Sequence, residues 1–309
     1  MSRARLEARA ETSRETDEAE QKAKDMTTDT PVSDESHAEA NGRRTEAASG
    51  TAAARTPPAV LRSLASLVSP ADATGTVVVP HAFGGVSLFA RSLIGRLPQS
   101  AALLALQAHG LSGGEPDTSL PAMAARYVEE LDAAGPPRPT VALGFCMGYG
   151  IALAMASRAP ERFAALVLID PGPDEPSGDD NVAIFAFDQI PEQHRPPWPM
   201  FRAADRATRL AWLADVFRRK GVGEDAAAGI VHGMYRVWEA NAGCAPLRDA
   251  DVVPGDTQVV MVTEDEAGLR DRLRWTRPVR VEPMRPRRGP RFTDLDLDTV
   301  SRVVGELVT

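Results

Sequence analysis

PTVALGFCMGYGIALAMASR, residues 139–158, is the stretch whose reading decides the fold. A short apolar run, Thr140 to Leu143, leads into Gly-x-Cys-x-Gly at Gly144, Cys146 and Gly148, and helix-forming residues follow without a break. A strand that turns straight into a helix in this way has the layout of a nucleophile elbow. The sharp turn lifts the central side chain off the carboxyl edge of a sheet. The flanking glycines are needed because larger Cβ atoms would collide with the neighbouring strand and helix. The elbow normally carries serine; this one carries Cys146. Gly-x-Cys-x-Gly alone is weak evidence, because cysteine is a common buried residue. Its neighbours give it weight.

Upstream, TGTVVVPHAFGG (74–85) is a β-branched run ending in a glycine-rich loop, and SLFARSLIGRL (87–97) has helical spacing. AALLALQAHG (101–110) reads as a strand, and SLPAMAARYVEELDAAG (119–135) as an amphipathic helix closed by glycine. Downstream, AALVLID (164–170) is a buried strand ending at Asp170. Strands alternating with helices of this length imply right-handed crossovers and a mostly parallel sheet. Residues 171–250 break the alternation: a loop, a proline-rich stretch, then two helices, ATRLAWLADVFRRKG and DAAAGIVHGMYRVWEANAG. This is expected to be a helical lid over the sheet's carboxyl edge. TQVVMVTED (257–265) resumes as a strand, VRVEPMR (279–285) is a weaker last one, and LDTVSRVVGELV (297–308) a closing helix.

Composition sets the bounds. The chain has 309 residues, 43% of them hydrophobic, and a net charge of −8. A core of good size is available and a nucleic-acid partner is disfavoured. No run of 18 uncharged apolar residues argues for a membrane span, and the N-terminus lacks the apolar core of a secretory signal. Two cysteines, Cys146 and Cys244, make no disulfide framework. The expected compartment is the cytoplasm. Residues 1–55 hold almost no Leu, Ile, Val or aromatic residue and are expected to be a disordered tail, either a docking segment or a solvated extension, with Met26 a second candidate start. Residues 56–309 are expected to form the folded domain.

The chemistry expected at the elbow follows from its geometry. The helix after Cys146 places its N-terminus beneath the thiol and favours the thiolate. The Met147 N–H is positioned for an oxyanion, with a second N–H expected from Ala82 or Phe83 in the loop HAFGG. Asp170 ends the next strand, where a triad acid can sit. No metal is implied, because neither a His-x-x-x-His nor a paired-cysteine spacing occurs, and HAFGGVS lacks the spacing of a dinucleotide fingerprint.

Residues 57–309 resemble the thioesterase domains of polyketide and nonribosomal peptide synthesis, a branch of the α/β-hydrolase family. The matching stretches are VVVPHAFGG, LLALQAHGLSGGEP, MAARYVEELDAAGP, ALGFCMGYG and LVLIDP. The resemblance implies an α/β-hydrolase fold with helices on both faces of the sheet. It implies transfer of an acyl chain from the phosphopantetheine thioester of an acyl or peptidyl carrier protein onto Cys146, with Asp170 as triad acid and no cofactor held by the protein itself. Such domains carry their histidine near the C-terminus, usually in Gly-x-His-Phe. Here the segment reads RRGPRFTDL: Gly289 and Phe292 match, and Arg291 stands in the histidine's place. Arg291 cannot act as a base at neutral pH, although it can pair with Asp170 or bind an anion. The remaining candidates for the base are His81 in the oxyanion loop, His109, His194 in the proline-rich stretch, and His232 in the lid, which would have to point into the cleft.

A thiol with a pKa near 8.5 is a few per cent thiolate at pH 7, and a shift to about 7.5 raises that to roughly a quarter. Thiol–thioester exchange can therefore proceed without a base. Hydrolysis of the acyl-cysteine cannot easily do so, since a positioned base is worth about 10²–10⁴-fold. A nucleophile carried by the bound chain escapes part of that penalty through proximity. Release by ring closure resembles the Dieckmann-cyclase group of α/β-hydrolase-like enzymes, which use an elbow cysteine but also keep Asp and His. Three readings stay open: acyltransferase or cyclase, hydrolytic editing thioesterase with an unusual base such as His232, and a degenerate binding protein. Trp198, Trp212, Tyr235 and Trp238 either wall an acyl channel or pack the lid onto the core.

Overall fold

The structure is a computed structural model. It describes residues 64–111, 113–169, 179–247, 252–272, 276, 278–286 and 295–309. The expected tail at 1–55 lies outside these residues, as do Asp170 and Arg291.

Seven strands form one sheet: β1 (Leu64–Val68), β2 (Gly75–Pro80), β3 (Ala101–Leu106), β4 (Thr140–Gly144), β5 (Phe163–Ile169), β6 (Gln258–Thr263) and β7 (Arg280–Pro283), in the order β1-β3-β2-β4-β5-β6-β7. Every pair is parallel except β1 with β3. The six parallel strands are those the sequence marks. The antiparallel edge strand β1 is an addition. LASLV carries a serine at its most exposed position and pairs through an irregular register between Ser66 and Val68, so neither alternation nor a turn signal announces it.

Residue period explains how the sheet is covered. Val78, Leu104, Ala142, Leu166 and Met261 point to one core. Their immediate neighbours Val77, Leu103, Val141, Val167 and Val260 point to the other. Strands buried on both faces read as continuous apolar runs for this reason. The first core takes helices α2 (Leu120–Ala134) and α3 (Met147–Arg158); the second takes α1 (Leu88–Arg91) and α9 (Leu297–Val308). The α2 helix starts where Ser119 accepts from the Ala122 N–H and stops at Gly135, whose φ of 57° lies in the left-handed region. The α1 helix is shorter than its periodic sequence predicts. Gly95, with φ 75°, and Pro98 end the regular backbone early, leaving only Leu88–Arg91 helical.

Among the described residues between β5 and β6 lie four α-helices rather than two: α4 (Asp179–Asp188), α5 (Trp198–Ala203), α6 (Arg206–Arg218) and α7 (Glu224–Ala242). They have a core of their own, in which Phe201, Leu213, Tyr235 and Trp238 are buried and Trp198 and Trp212 are partly buried. Phe201 packs against Phe187, Trp198 and Trp212 at ring separations of 5.3, 6.4 and 5.4 Å. The four lid aromatics are thus packing residues of the lid. A short α8 (Glu266–Arg272) follows β6. No helix among the described residues is long and apolar enough to cross a membrane.

Candidate active site

The elbow has the expected geometry. Cys146 caps α3 with φ 54° and ψ −128°, and it is the one non-glycine residue with positive φ among the described residues. That pair of angles lies outside the left-handed helical region as well, so the side chain is held in a strained conformation. The flanking glycines show why. A Cβ on Gly144 would lie 2.7 Å from the Tyr149 Cα and 2.8 Å from the Gly148 carbonyl oxygen. A Cβ on Gly148 would lie 2.9 Å from the Pro80 oxygen and 3.2 Å from the His81 oxygen. All four obstacles are backbone, which cannot swing aside. The Gly148 contact also puts the elbow directly against the end of β2, where the loop His81–Gly85 begins. Cys146 is half-buried and takes part in no disulfide.

At the start of α3 the Gly148 N–H donates to the Phe145 carbonyl (2.9 Å) and the Tyr149 N–H to the Cys146 carbonyl (3.0 Å). The Met147 N–H has no acceptor among the described residues. An amide left over at a helix N-terminus beside a thiol suits an oxyanion. In the facing loop, the Ala82 carbonyl accepts from the Gly85 N–H (2.9 Å) and from His81 Nδ1 (2.8 Å). The Phe83 N–H belongs to that same peptide and finds no acceptor among the described residues; neither does the Ala82 N–H.

His81 is fully buried. A carbonyl can only accept, so the ring proton sits on Nδ1 and the bare nitrogen is Nε2, which has no hydrogen-bond partner among the described residues. Burial pushes the imidazole down to about 4, against smaller upward pulls from the Ala82 carbonyl and Asp117. Tyr127, edge-on to the ring at 6.0 Å, has its own phenol raised well above 10 by burial. His81 is therefore a neutral residue that shapes the loop.

The other histidines lie elsewhere. His109 Nδ1 meets the Glu115 carbonyl at 2.8 Å, and His194 is exposed in a short 3₁₀ turn. His232 is exposed on α7. It sits about half a turn around the helix from Asn241, which faces the loop His81–Gly85. The placement needed for a His232 base, down into the cleft, is not the one observed. Asp170 follows directly on β5, next to the elbow strand β4, but it and Arg291 are outside the described residues. What brackets the Arg291 segment is described. Asp296 accepts from the Arg285 backbone N–H (3.1 Å) and from its guanidinium (2.7 and 3.1 Å), and it caps α9. Arg285 beside it holds the Asp296 carboxyl well below the usual carboxylate range.

The sequence reading missed the lid's contribution to this loop. Asn241 Nδ2 donates to the Phe83 carbonyl (2.8 Å) and Trp238 Nε1 to the Gly84 carbonyl (3.3 Å). These pairs are 158 and 154 residues apart, and no local periodicity encodes such distances.

The thioesterase-domain family model matches residues 76–181, about a third of the chain. Comparison with the curated proteins finds no match. Among solved structures, a four-domain nonribosomal peptide synthetase bound to AMP and glycine is similar at 17% identity and a TM-score of 0.61. The alignment covers 79% of this chain, which spans 20% of that much longer one. The wild-type Vlm2 thioesterase domain is similar at 16% identity and a TM-score of 0.54, over 79% of this chain and 96% of its own. The chain therefore has the α/β-hydrolase fold and carries a thioesterase-domain match that takes in the loop His81–Gly85, the elbow and the start of the helical insertion after β5.

Proposed function

We propose that the protein is a carrier-dependent acyl-transfer enzyme of polyketide or nonribosomal peptide synthesis, with Cys146 as nucleophile, and that it releases its chain by ring closure in preference to hydrolysis. The observation that carries the reading is Cys146 itself, held at positive φ at the head of α3 beside the Met147 N–H, which has no acceptor among the described residues. Strain of this kind persists where the surrounding structure enforces it, and it belongs with function more than with packing. The thioesterase-domain match and the Vlm2 likeness support the carrier-bound substrate class.

In the proposed first step the Cys146 thiolate attacks the thioester carbonyl. A C–S bond forms, the oxyanion takes the N–H groups of Met147 and Phe83, and the pantetheine thiolate leaves. This exchange is close to neutral in energy and needs no base. In the second step an acidic carbon between two carbonyls, or an amine, attacks the acyl-cysteine. A new C–C or C–N bond forms, the Cys146 thiolate is expelled, and it takes up the proton that the nucleophile gives up. Water would need a base to do the same. His81 is neutral and engaged with the loop, and His232 is on the outside of the lid, so neither supports the hydrolytic alternative. Asp170 is proposed as the acid of the site and Arg291 as a counterion or substrate contact.

Intact-protein mass after mixing with a short acyl-pantetheine thioester tests the nucleophile. The wild type is expected to gain one acyl group at Cys146, and Cys146→Ala none. No adduct from any of several acyl donors would overturn the reading in favour of a binding protein.

A further inference from the structure

Three successive carbonyls of the oxyanion loop each accept a side-chain donor. Ala82 O takes His81 Nδ1 (2.8 Å), Phe83 O takes Asn241 Nδ2 (2.8 Å) and Gly84 O takes Trp238 Nε1 (3.3 Å). The first donor comes from the loop itself, at the end of β2. The other two come from one face of the lid helix α7. In a trans peptide the C=O and N–H point in opposite directions, so fixing a carbonyl fixes the amide of the next residue. The three contacts thus set the N–H groups of Phe83, Gly84 and Gly85. Gly85 spends its N–H on Ala82 O, and those of Phe83 and Gly84 have no acceptor among the described residues.

Both donors are buried: Asn241 is 5% exposed and Trp238 1%. A buried amide aimed at a loop carbonyl is costly to keep unless paired. The glycines of the loop make room for the same contact. A Cβ on Gly84 would lie 2.9 Å from Phe185 Cζ, and one on Gly85 would lie 2.7 Å from Val237 Cγ1. The lid closes on this loop at backbone range.

We infer that Asn241 and Trp238 are positioning residues: Asn241 holds the Gly84 amide through the Phe83 carbonyl, and Trp238 holds the Gly85 amide, which in turn donates to the Ala82 carbonyl of the peptide that carries the Phe83 N–H, so that the seating of the lid helix sets the competence of the oxyanion hole. The consequence for catalysis rests on the acyl-transfer reading above; the wiring of lid to loop does not. Binding of a substrate that shifts α7 would then change the chemical step directly, with Cys146 itself untouched.

The test uses two reactions of the same thiol. Acylation by an acyl-pantetheine thioester passes through an oxyanion. Alkylation by iodoacetamide displaces iodide at a saturated carbon and does not. Asn241→Leu is expected to slow acylation of Cys146 by about tenfold or more while alkylation stays within about twofold. Trp238→Phe keeps an aromatic ring against Phe185 and Tyr235 and removes the N–H together with part of the indole. It guards against simple misfolding, and its acylation should fall in the same direction by less. Amide hydrogen exchange at Gly84 should quicken in Asn241→Leu. Equal loss of acylation and alkylation, or no loss of acylation, would overturn the positioning role. If wild-type protein is alkylated but never acylated, the acyl-transfer reading fails. The exchange arm then still decides the wiring: quicker exchange supports it, and unchanged exchange overturns it.

Discussion

Cys146→Gly should abolish acyl transfer completely and yet melt at a higher temperature than Cys146→Ala. Both variants lose the thiol. They differ by one Cβ at a residue with φ 54° and ψ −128°. Glycine occupies such a conformation freely, whereas an L side chain there costs on the order of 1–3 kcal/mol. Glycine gives back part of that gain through its freer unfolded chain. The net advantage over alanine should be about 1 kcal/mol, or about 2–4 °C in a domain of this size. Thermal melts of the two variants, run beside the mass assay, check it. An alanine variant as stable as the glycine one would mean that the elbow stores no strain.

The second large effect is a pH dependence of stability. His81 is buried with its imidazole pushed down to about 4. In the unfolded chain it returns to about 6.5. Between those values the unfolded state binds a proton that the folded state refuses. The stabilisation is therefore fully present above pH 6.5 and is lost progressively as pH falls toward 4. By pH 5 the loss from this one residue should be about 2 kcal/mol. His81→Asn keeps an amide donor for the Ala82 carbonyl and cannot titrate. Urea unfolding at pH 7 and pH 5 should thus show a drop about 2 kcal/mol smaller in the variant than in the wild type. Equal drops would mean that His81 is protonated in the fold, and its neutral role in the loop would have to be abandoned.

Much of the site was legible because its constraints are local. Gly144, Cys146 and Gly148 lie within five residues, and the steric need for Gly144 is a contact with the backbone of Gly148 and Tyr149, although that for Gly148 is set across the fold by Pro80 and His81. The parallel strands were equally plain, since burial on both faces leaves apolar runs such as TVVV and ALVLI. The antiparallel β1 was not legible, being short, irregular in register and only half-buried. The region 87–97 misled in the opposite sense: its apolar spacing is helical, but Gly95 imposes a backbone that no helix continues through. The lid was legible as an insertion but not in detail. The central run of α4, VAIFAF, is apolar at every position and shows no stripe, so its helix was not separated from the loop before it. The loop His81–Gly85 was legible from its glycines, while its anchoring by Asn241 and Trp238 depends on tertiary contacts alone. That His232 lies on the exposed side of α7 was not legible for a related reason. A helix sequence gives the angle between two residues, but which face meets the cleft is settled by packing.

The most direct measurement of release by ring closure compares two acyl-enzymes. Cys146 would be loaded from two pantetheine thioesters of equal length, one a plain acyl chain and one with an acidic carbon between two carbonyls at ring-closing distance. Decay of each adduct would be followed by intact mass, together with the released product. The plain acyl-cysteine should persist, and the second adduct should disappear at least about tenfold faster as a cyclic product. Equal decay of both into free acid would contradict the account and identify a hydrolase with a base yet to be found.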